Sequence, residues 1–308
     1  PQTLFLAGWV AVVFFSNLFH GNIADATEKF VIYGKFALVF LLFLYVIDSE
    51  ERFKGVAVTL TALSTILAVQ GIYQTINGIG WAGQTLGWLG RIRWVGLWDG
   101  PDVLSLLFVI AIPFVMEFLV GPFPWPYRIL ATVSAPLLLT GLFLGASRGA
   151  WISLFGVVLF YSARRLGRAG ILVGLLVVAA LIVVAPSRLS QLDVHADSDN
   201  ARSSRYRISM WAEAQEMLRY NPLFGIGKGQ FVAYTHKLIA HNTFLEHMGE
   251  TGLIGLFFSV GLVYLSFKSL AVVRALGGAG ALHSWEQAMS ASVVSPDALV
   301  TRISREPS

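Results

Sequence analysis

The sequence has no cysteine and little charge: only 13% of its 308 residues are Asp, Glu, Lys or Arg. The lack of cysteine excludes disulfides and thiol catalysis, and it leaves the redox compartment unreadable from this residue type. The scarcity of charge excludes an ordinary soluble domain, in which about 25% of residues are charged. The deficit is local. It comes from uncharged runs such as 171–186 and 253–267, which reach or approach the ~20 residues needed to cross a hydrocarbon core. There is also no paired carboxylate and no His-Glu-x-x-His pattern, so no metal site is expected. No basic stripe or aromatic platform lies on a soluble face, which argues against nucleic acid as a partner.

What is present is apolar: 56% of the residues are hydrophobic, with a net charge of +4. In lipid the backbone must satisfy its own hydrogen bonds, so the apolar runs must be helices. The expected fold class is all-α, a polytopic transmembrane helical bundle. Its spans, about eight by the length rule, fall at 3–19, 30–47, 55–75, 103–120, 128–146, 149–163, 170–186 and 252–272. The sixth follows the fifth almost without a loop, as the second arm of a helix broken at Ser147-Arg148-Gly149 would. A transmembrane domain over 1–274 is expected to include a long polar loop at 187–251, with a polar tail at 275–308. No basic n-region or cleavage site marks a signal peptide. The chain opens at Pro1 at an apolar run, which suggests a start partway through a longer protein.

Short basic loops set orientation. Arg52 and Lys54, Arg128, Arg164 with Arg165 and Arg168, and Lys268 with Arg274 all fall on one side of an eight-span chain, the expected cytoplasmic side. The other side receives 76–102 and 187–251. There Arg91, Arg93, Asp99, Asp102, Arg148, Arg205, Arg207 and His241 collect. An interfacial arginine can simply snorkel to lipid phosphates. Its planar fork also grips phosphate oxygens at two points and stays charged at any working pH. Residues 205–220 read as an amphipathic helix with Ile208, Trp211, Ala214 and Leu218 on one face. Arg207 lies four residues before Trp211, on the same face. Asp99 and Asp102 are expected to cap the fourth span. Gly225-Ile-Gly-Lys-Gly-Gln lacks P-loop spacing and reads as a structural turn. His241 opens the helix leading into the eighth span, and a neutral histidine can accept a proton near pH 7. His195, His236 and His247 have weaker settings. Gly249, Gly252 and Gly255 can serve close helix packing.

Three segments together resemble the O-antigen ligase family. His241-Asn242, with Gly252 and Gly255 following, resembles its histidine signature. Ser147-Arg148-Gly149-Ala150-Trp151 resembles its arginine at the outer end of a span. Arg207-Ile-Ser-Met-Trp211 with Asn221-Pro-Leu-Phe-Gly-Ile-Gly227 resembles its long periplasmic loop. The resemblance covers 90–272. It implies a multi-pass bacterial inner-membrane enzyme of lipopolysaccharide biosynthesis, active on the periplasmic face without cofactor or metal. The implied donor is a glycan on undecaprenyl diphosphate, and the acceptor a sugar hydroxyl of lipid A–core. Direct attack would invert the anomeric centre. His241 would be the catalytic base and Arg148 and Arg207 would hold the diphosphate, with Arg205 or Arg93 assisting. Asn242, Gly252 and Gly255 complete the motif. The same core is shared by O-antigen and exopolysaccharide polymerases and by protein O-oligosaccharyltransferases. Outside the superfamily, the rival is a polysaccharide transporter or flippase. That rival would place ionisable groups near the bilayer midplane, where only Lys35 lies well inside a span.

Overall fold

The computed structural model describes residues 2–96, 99–184, 199–235, 240 and 242–275. Among them the fold is all-helical: α1 (Gln2–Leu18), α2 (Ile23–Val46), α3 (Glu50–Asn77), α4 (Pro101–Val120), α5 (Trp125–Gly145), α6 (Arg148–Val184), α7 (Asp199–Tyr220), α8 (Phe231–Thr235) and α9 (Thr243–Ala275). Between α3 and α4 the described chain makes a short 3-10 turn, Trp88–Gly90, and two isolated bridges, Ile79 with Thr85 and Gly87 with Arg91.

Five of the described helices are long and apolar enough to cross a bilayer: Ile23–Val46, Glu50–Asn77, Pro101–Val120, Trp125–Gly145 and Thr243–Val272. The apolar helix Gln2–Leu18 is shorter. In α2 the only buried residue is Ala26, while Phe36, Leu38, Leu42 and Phe43 are exposed. So broad an apolar surface suits lipid rather than water. A count of eight spans would also need α1 and both arms of α6, which length and composition alone do not place in a bilayer. The expected tail lies almost wholly outside the described residues, as do 187–198, 236–239 and 241 of the expected loop.

The molecule divides into two compact units, residues 51–194 and residues 1–50 with 195–308. In the first, α4 packs against α5 and α6 around Leu104, Phe108, Leu138, Leu142, Trp151 and Leu154. Gly141 lets α5 approach, since a Cβ there would stand 2.8 Å from the Phe108 ring and 3.2 Å from Ala68. The expected break between the fifth and sixth spans is present. Ala146 adopts the left-handed conformation (φ 45°, ψ 42°) and ends α5. Ser147 then starts α6, its hydroxyl accepting from Ala150 N at 3.4 Å. The sequence placed a loop at 164–169, but helix continues through it and breaks at one residue, Gly167 (φ 60°, ψ −135°). The arms then lie side by side: a Cβ on Gly174 would stand 3.2 Å from Leu159 Cα.

In the second unit, α1 packs on α2 and α9, and α9 on α7. Gly8 receives the Phe258 ring and Gly261 receives Phe5. The expected amphipathic helix is longer than predicted, beginning at Asp199 rather than 205. Its buried face also differs. Met210, Ala214 and Met217 are buried, whereas Ile208 is 61% exposed. Both stripes pass through Ala214. The backbone of α9 meets α7 there, where Gly249 lies against Ala214 and Met217, and the flexible methionines fill the space beside it better than a β-branched isoleucine.

Candidate functional site

The unit 51–194 contributes Arg91, Arg93 and Arg148. Arg91 is committed to structure: its Nε donates to Gly145 O at 2.7 Å and its Nη2 to Asp102 Oδ1 at 2.6 Å. A cation at the last carbonyls of α5 is well placed against the helix dipole. Arg93 donates from Nε to Thr85 O at 2.8 Å and from Nη1 to Asp99 Oδ1 at 3.2 Å. The capping role expected for the two carboxylates is therefore corrected. The N-cap of α4 is Gly100, with no side-chain cap bond, and Asp102 and Asp99 hold Arg91 and Arg93 instead. Buried Gln74 ties the loop down, its Nε2 donating to Thr85 O at 3.0 Å and its Oε1 accepting from Arg93 N at 3.0 Å.

Arg148 differs. It is half-buried at the first position of α6 and makes no hydrogen bond or ion pair with another described residue. A cation at a helix N-terminus opposes the dipole, so stability does not explain it. The positive end of a helix dipole and a guanidinium together form an arrangement suited to an anion.

The unit containing 195–308 contributes α7, the loop after it and the head of α9. Trp211 Nε1 donates to Ala240 O at 3.1 Å. This bond fastens the residue before His241 to α7. His241 itself lies outside the described residues. On its other side Asn242 caps α9, its Oδ1 accepting from Phe244 N at 3.1 Å and Leu245 N at 3.3 Å. The motif asparagine thus closes the helix by the usual cap chemistry. The residues on either side of position 241, Ala240 and Asn242, are thus both anchored. Arg207 sits about one turn before Trp211 on the same face of α7, about 6 Å along the axis. It is half-buried, and its Nε is buried with no partner among the described residues. Leaving a buried donor unpaired costs about 1–3 kcal/mol, and such groups call for a functional account. Arg205 is exposed. Of the other histidines, His195 and His236 lie outside the described residues, while His247 Nδ1 meets Ser259 Oγ at 2.9 Å.

Gly252 has a different role from the helix packing predicted for it. At φ 68°, ψ −164° it breaks α9. The loop 221–227 takes up the freed backbone groups: Leu253 N donates to Pro222 O at 2.8 Å, Ile226 N to Gly249 O at 3.0 Å and Gly227 N to Glu250 O at 2.9 Å. Gly225, Gly227 and Gly229 all take positive φ, as a structural turn requires. Gly249 does serve packing, against Met217 and Ala214. Gly255 lies against the side chain of Thr251, within its own helix.

The lysine of this turn was missed by sequence reasoning. Lys228 is 3% exposed and Glu250 is 2% exposed. Their Nζ and Oε2 are 2.5 Å apart, and Glu246 Oε1 is 3.5 Å from the same Nζ. Burial opposes the Lys228 ammonium, but Glu250, Tyr33 and Glu246 outweigh it and hold its pKa above the ordinary lysine value. A turn that is polar by composition gives no sign that its lysine is buried. The one available signal was Glu246 and Glu250 at a four-residue spacing beside the motif. Among the described residues no cluster of His, Asp or Glu is placed to hold a metal.

Residues 133–260 match the family model described as O-Antigen ligase. The matched segment contains Arg148, Arg205, Arg207, Trp211, His241, Asn242, Gly252 and Gly255; Arg91 and Arg93 lie before it. No curated protein and no solved structure matches the chain.

Proposed function

Taking the O-antigen ligase match over 133–260 as premise, we propose that the protein is a membrane glycosyltransferase that moves a glycan from undecaprenyl diphosphate to a lipid A–core hydroxyl. Transfer takes place on the periplasmic face of the inner membrane of a bacterium, in an eight-span chain. The observation that carries the reading is the pairing on α7: Trp211 fastens Ala240, the residue before the signature histidine, and one turn away Arg207 keeps a buried donor with no partner among the described residues.

The chemistry needs two contributions. The acceptor hydroxyl oxygen attacks the anomeric carbon while the bond from that carbon to the diphosphate oxygen breaks. His241, neutral, takes the hydroxyl proton as the new glycosidic bond forms. Charge grows on the departing diphosphate, and fixed guanidinium groups stabilise it in a water-poor site. Arg207 and Arg148 supply that charge, with Arg205 assisting. Arg93 is assigned a lesser share, because its fork is engaged by Thr85 and Asp99. Direct displacement inverts the anomeric centre, and no step requires a metal or nucleotide.

The test is reconstitution of the full-length protein with an undecaprenyl-diphosphate glycan and lipid A–core. Products are resolved on a gel, with His241→Ala and Arg207→Ala alongside. A slower core band, absent with His241→Ala and reduced about 10²–10³-fold with Arg207→Ala, is the expected result. Lengthened lipid-linked glycan with an unmoved core band would make the enzyme a polymerase. Glycan on a supplied protein would make it a protein O-oligosaccharyltransferase. Glycan moved across the bilayer without a new bond would return the flippase. Full turnover by His241→Ala would remove the base assignment.

A further inference from the structure

We infer that the buried Lys228–Glu250 pair is a positioning device for the proposed reaction, pinning the short arm of α9 that follows the signature histidine in the chain. The inference rests on the transferase reading but on different residues.

The break at Gly252 separates residues 243–251 from the rest of α9. An isolated helix this short is marginal in water, so its direction must come from its neighbours. One side is held by α7, through Gly249 against Met217 and Ala214 and through Trp211 to Ala240. The other side is held through Lys228. That residue is fixed to α1 at both backbone groups: its N–H donates to Ser16 Oγ at 3.1 Å and its C=O accepts from Asn17 Nδ2 at 3.2 Å. Its ammonium reaches Glu250 at 2.5 Å. The second oxygen of Glu250 accepts from Phe231 N at 3.0 Å, at the head of α8. One lysine thereby joins α1, α8 and the arm of α9. Tyr33 of α2 covers the ammonium, its ring centroid 5.8 Å away.

A buried ion pair is a weak source of stability, because desolvation offsets attraction, but it can select one arrangement over others. Its two ends must meet, and Glu250 meets the ammonium at 2.5 Å where Glu246, one turn earlier on the arm, stands at 3.5 Å. Apolar residues of similar size can replace such a pair with little loss of stability. Loss of one partner leaves a buried charge unpaired. A positioning role therefore predicts that the single variant fails and the paired apolar variant recovers.

The absence of cysteine from the chain provides a reporter that does not depend on activity. A spin label on Thr243→Cys, exposed at the first residue of α9, reads the mobility of the arm in the full-length protein. Lys228→Met is expected to mobilise the label and to lower kcat about 10²-fold, the cost of a misplacement near 1 Å. KM for the lipid-linked glycan should stay within about twofold. Lys228→Met with Glu250→Leu is expected to return the label to its wild-type spectrum and to recover most of kcat. An unchanged spectrum in Lys228→Met overturns the pin, as does wild-type turnover from a mobilised arm. A paired variant that stays mobile also overturns it. If the wild-type protein transfers no glycan, the transferase reading fails and the spectra still decide the pin.

Discussion

Arg205 and Arg207 are two positions apart, and the sequence alone could separate them only by their spacing to Trp211. The structure separates them by environment: Arg205 is exposed, while Arg207 carries a buried Nε with no partner among the described residues. Exchanging the fork for a point charge should therefore matter at one position and not at the other. Arg207→Lys is expected to lower glycan transfer about 10²-fold, and Arg205→Lys to lower it less than about threefold, measured side by side in proteoliposomes. Equal effects would remove the distinction. Arg91 makes the opposite prediction. Its bonds to Gly145 O and Asp102 are structural, so Arg91→Ala should destabilise the fold by about 1–3 kcal/mol, seen as a lower Tm in detergent. A variant that melts normally but does not bind donor would instead make Arg91 a substrate residue. The site was legible here in part. Arg148, Arg207 and Asn242 were marked by motif and spacing, but nothing local showed that Asp99 and Asp102 would pair with Arg93 and Arg91. Those partners are 6 and 11 residues apart across an irregular loop that runs into the first turn of α4, and no periodicity spans it to dictate which side chains face each other.

At the scale of the element, the breaks in the helices define the site more than the helices do. Three of them stand at Ala146, Gly167 and Gly252, each in a left-handed or otherwise positive-φ conformation. The first was readable, because a basic and small tripeptide interrupted an apolar run. The third was hidden, since glycine triplets at three-residue spacing serve helix packing equally well. What distinguishes Gly252 is the loop 221–227 pressed against it, a contact remote in sequence. A Cβ at Gly252 would meet Leu223 O and stand 2.7 Å from Gly225 N, at a φ of +68°. Gly252→Ala should therefore cost at least ~2–3 kcal/mol of stability and lower the yield of folded protein. Gly156 offers the contrast: a Cβ there meets nothing within 4 Å. In the interior of α6, Gly156→Ala should raise stability by up to about 1 kcal/mol. Thermal unfolding of both variants in one detergent decides the pair of predictions. At the head of α9, Asn242→Ala should lose the cap and about 1 kcal/mol, while Asn242→Asp, which still accepts from Phe244 N and Leu245 N, should melt near wild type.

At the scale of the whole molecule, the question is how often the chain crosses the bilayer. Five of the described helices qualify by length and composition, and the apolar runs of the sequence argue for about eight crossings. The chain's lack of cysteine makes the count measurable. With eight spans, cysteines replacing Arg52, Arg128 and Arg164 should react with a membrane-impermeant thiol reagent from one side of sealed vesicles. Cysteines replacing Trp81 and Arg219 should react only from the other. Trp81 and Arg164 labelled from the same side would refute the eight-span count.

The sequence by itself determined that the chain is a helical membrane protein. Long uncharged runs leave the backbone no solvent to bond with, and only helices then satisfy it. It also determined the order of the motifs, because the matched segment 133–260 is linear information. The tertiary structure decided which charges are spent on architecture and which remain available. Arg91, Arg93 and Lys228 are basic in the same sense as Arg148 and Arg207, but each of the first three meets a carboxylate brought to it by folding. Pairing depends on distances between segments far apart along the chain. No residue type or local spacing encodes those distances, so which cations meet a carboxylate is decided only once the helices have packed.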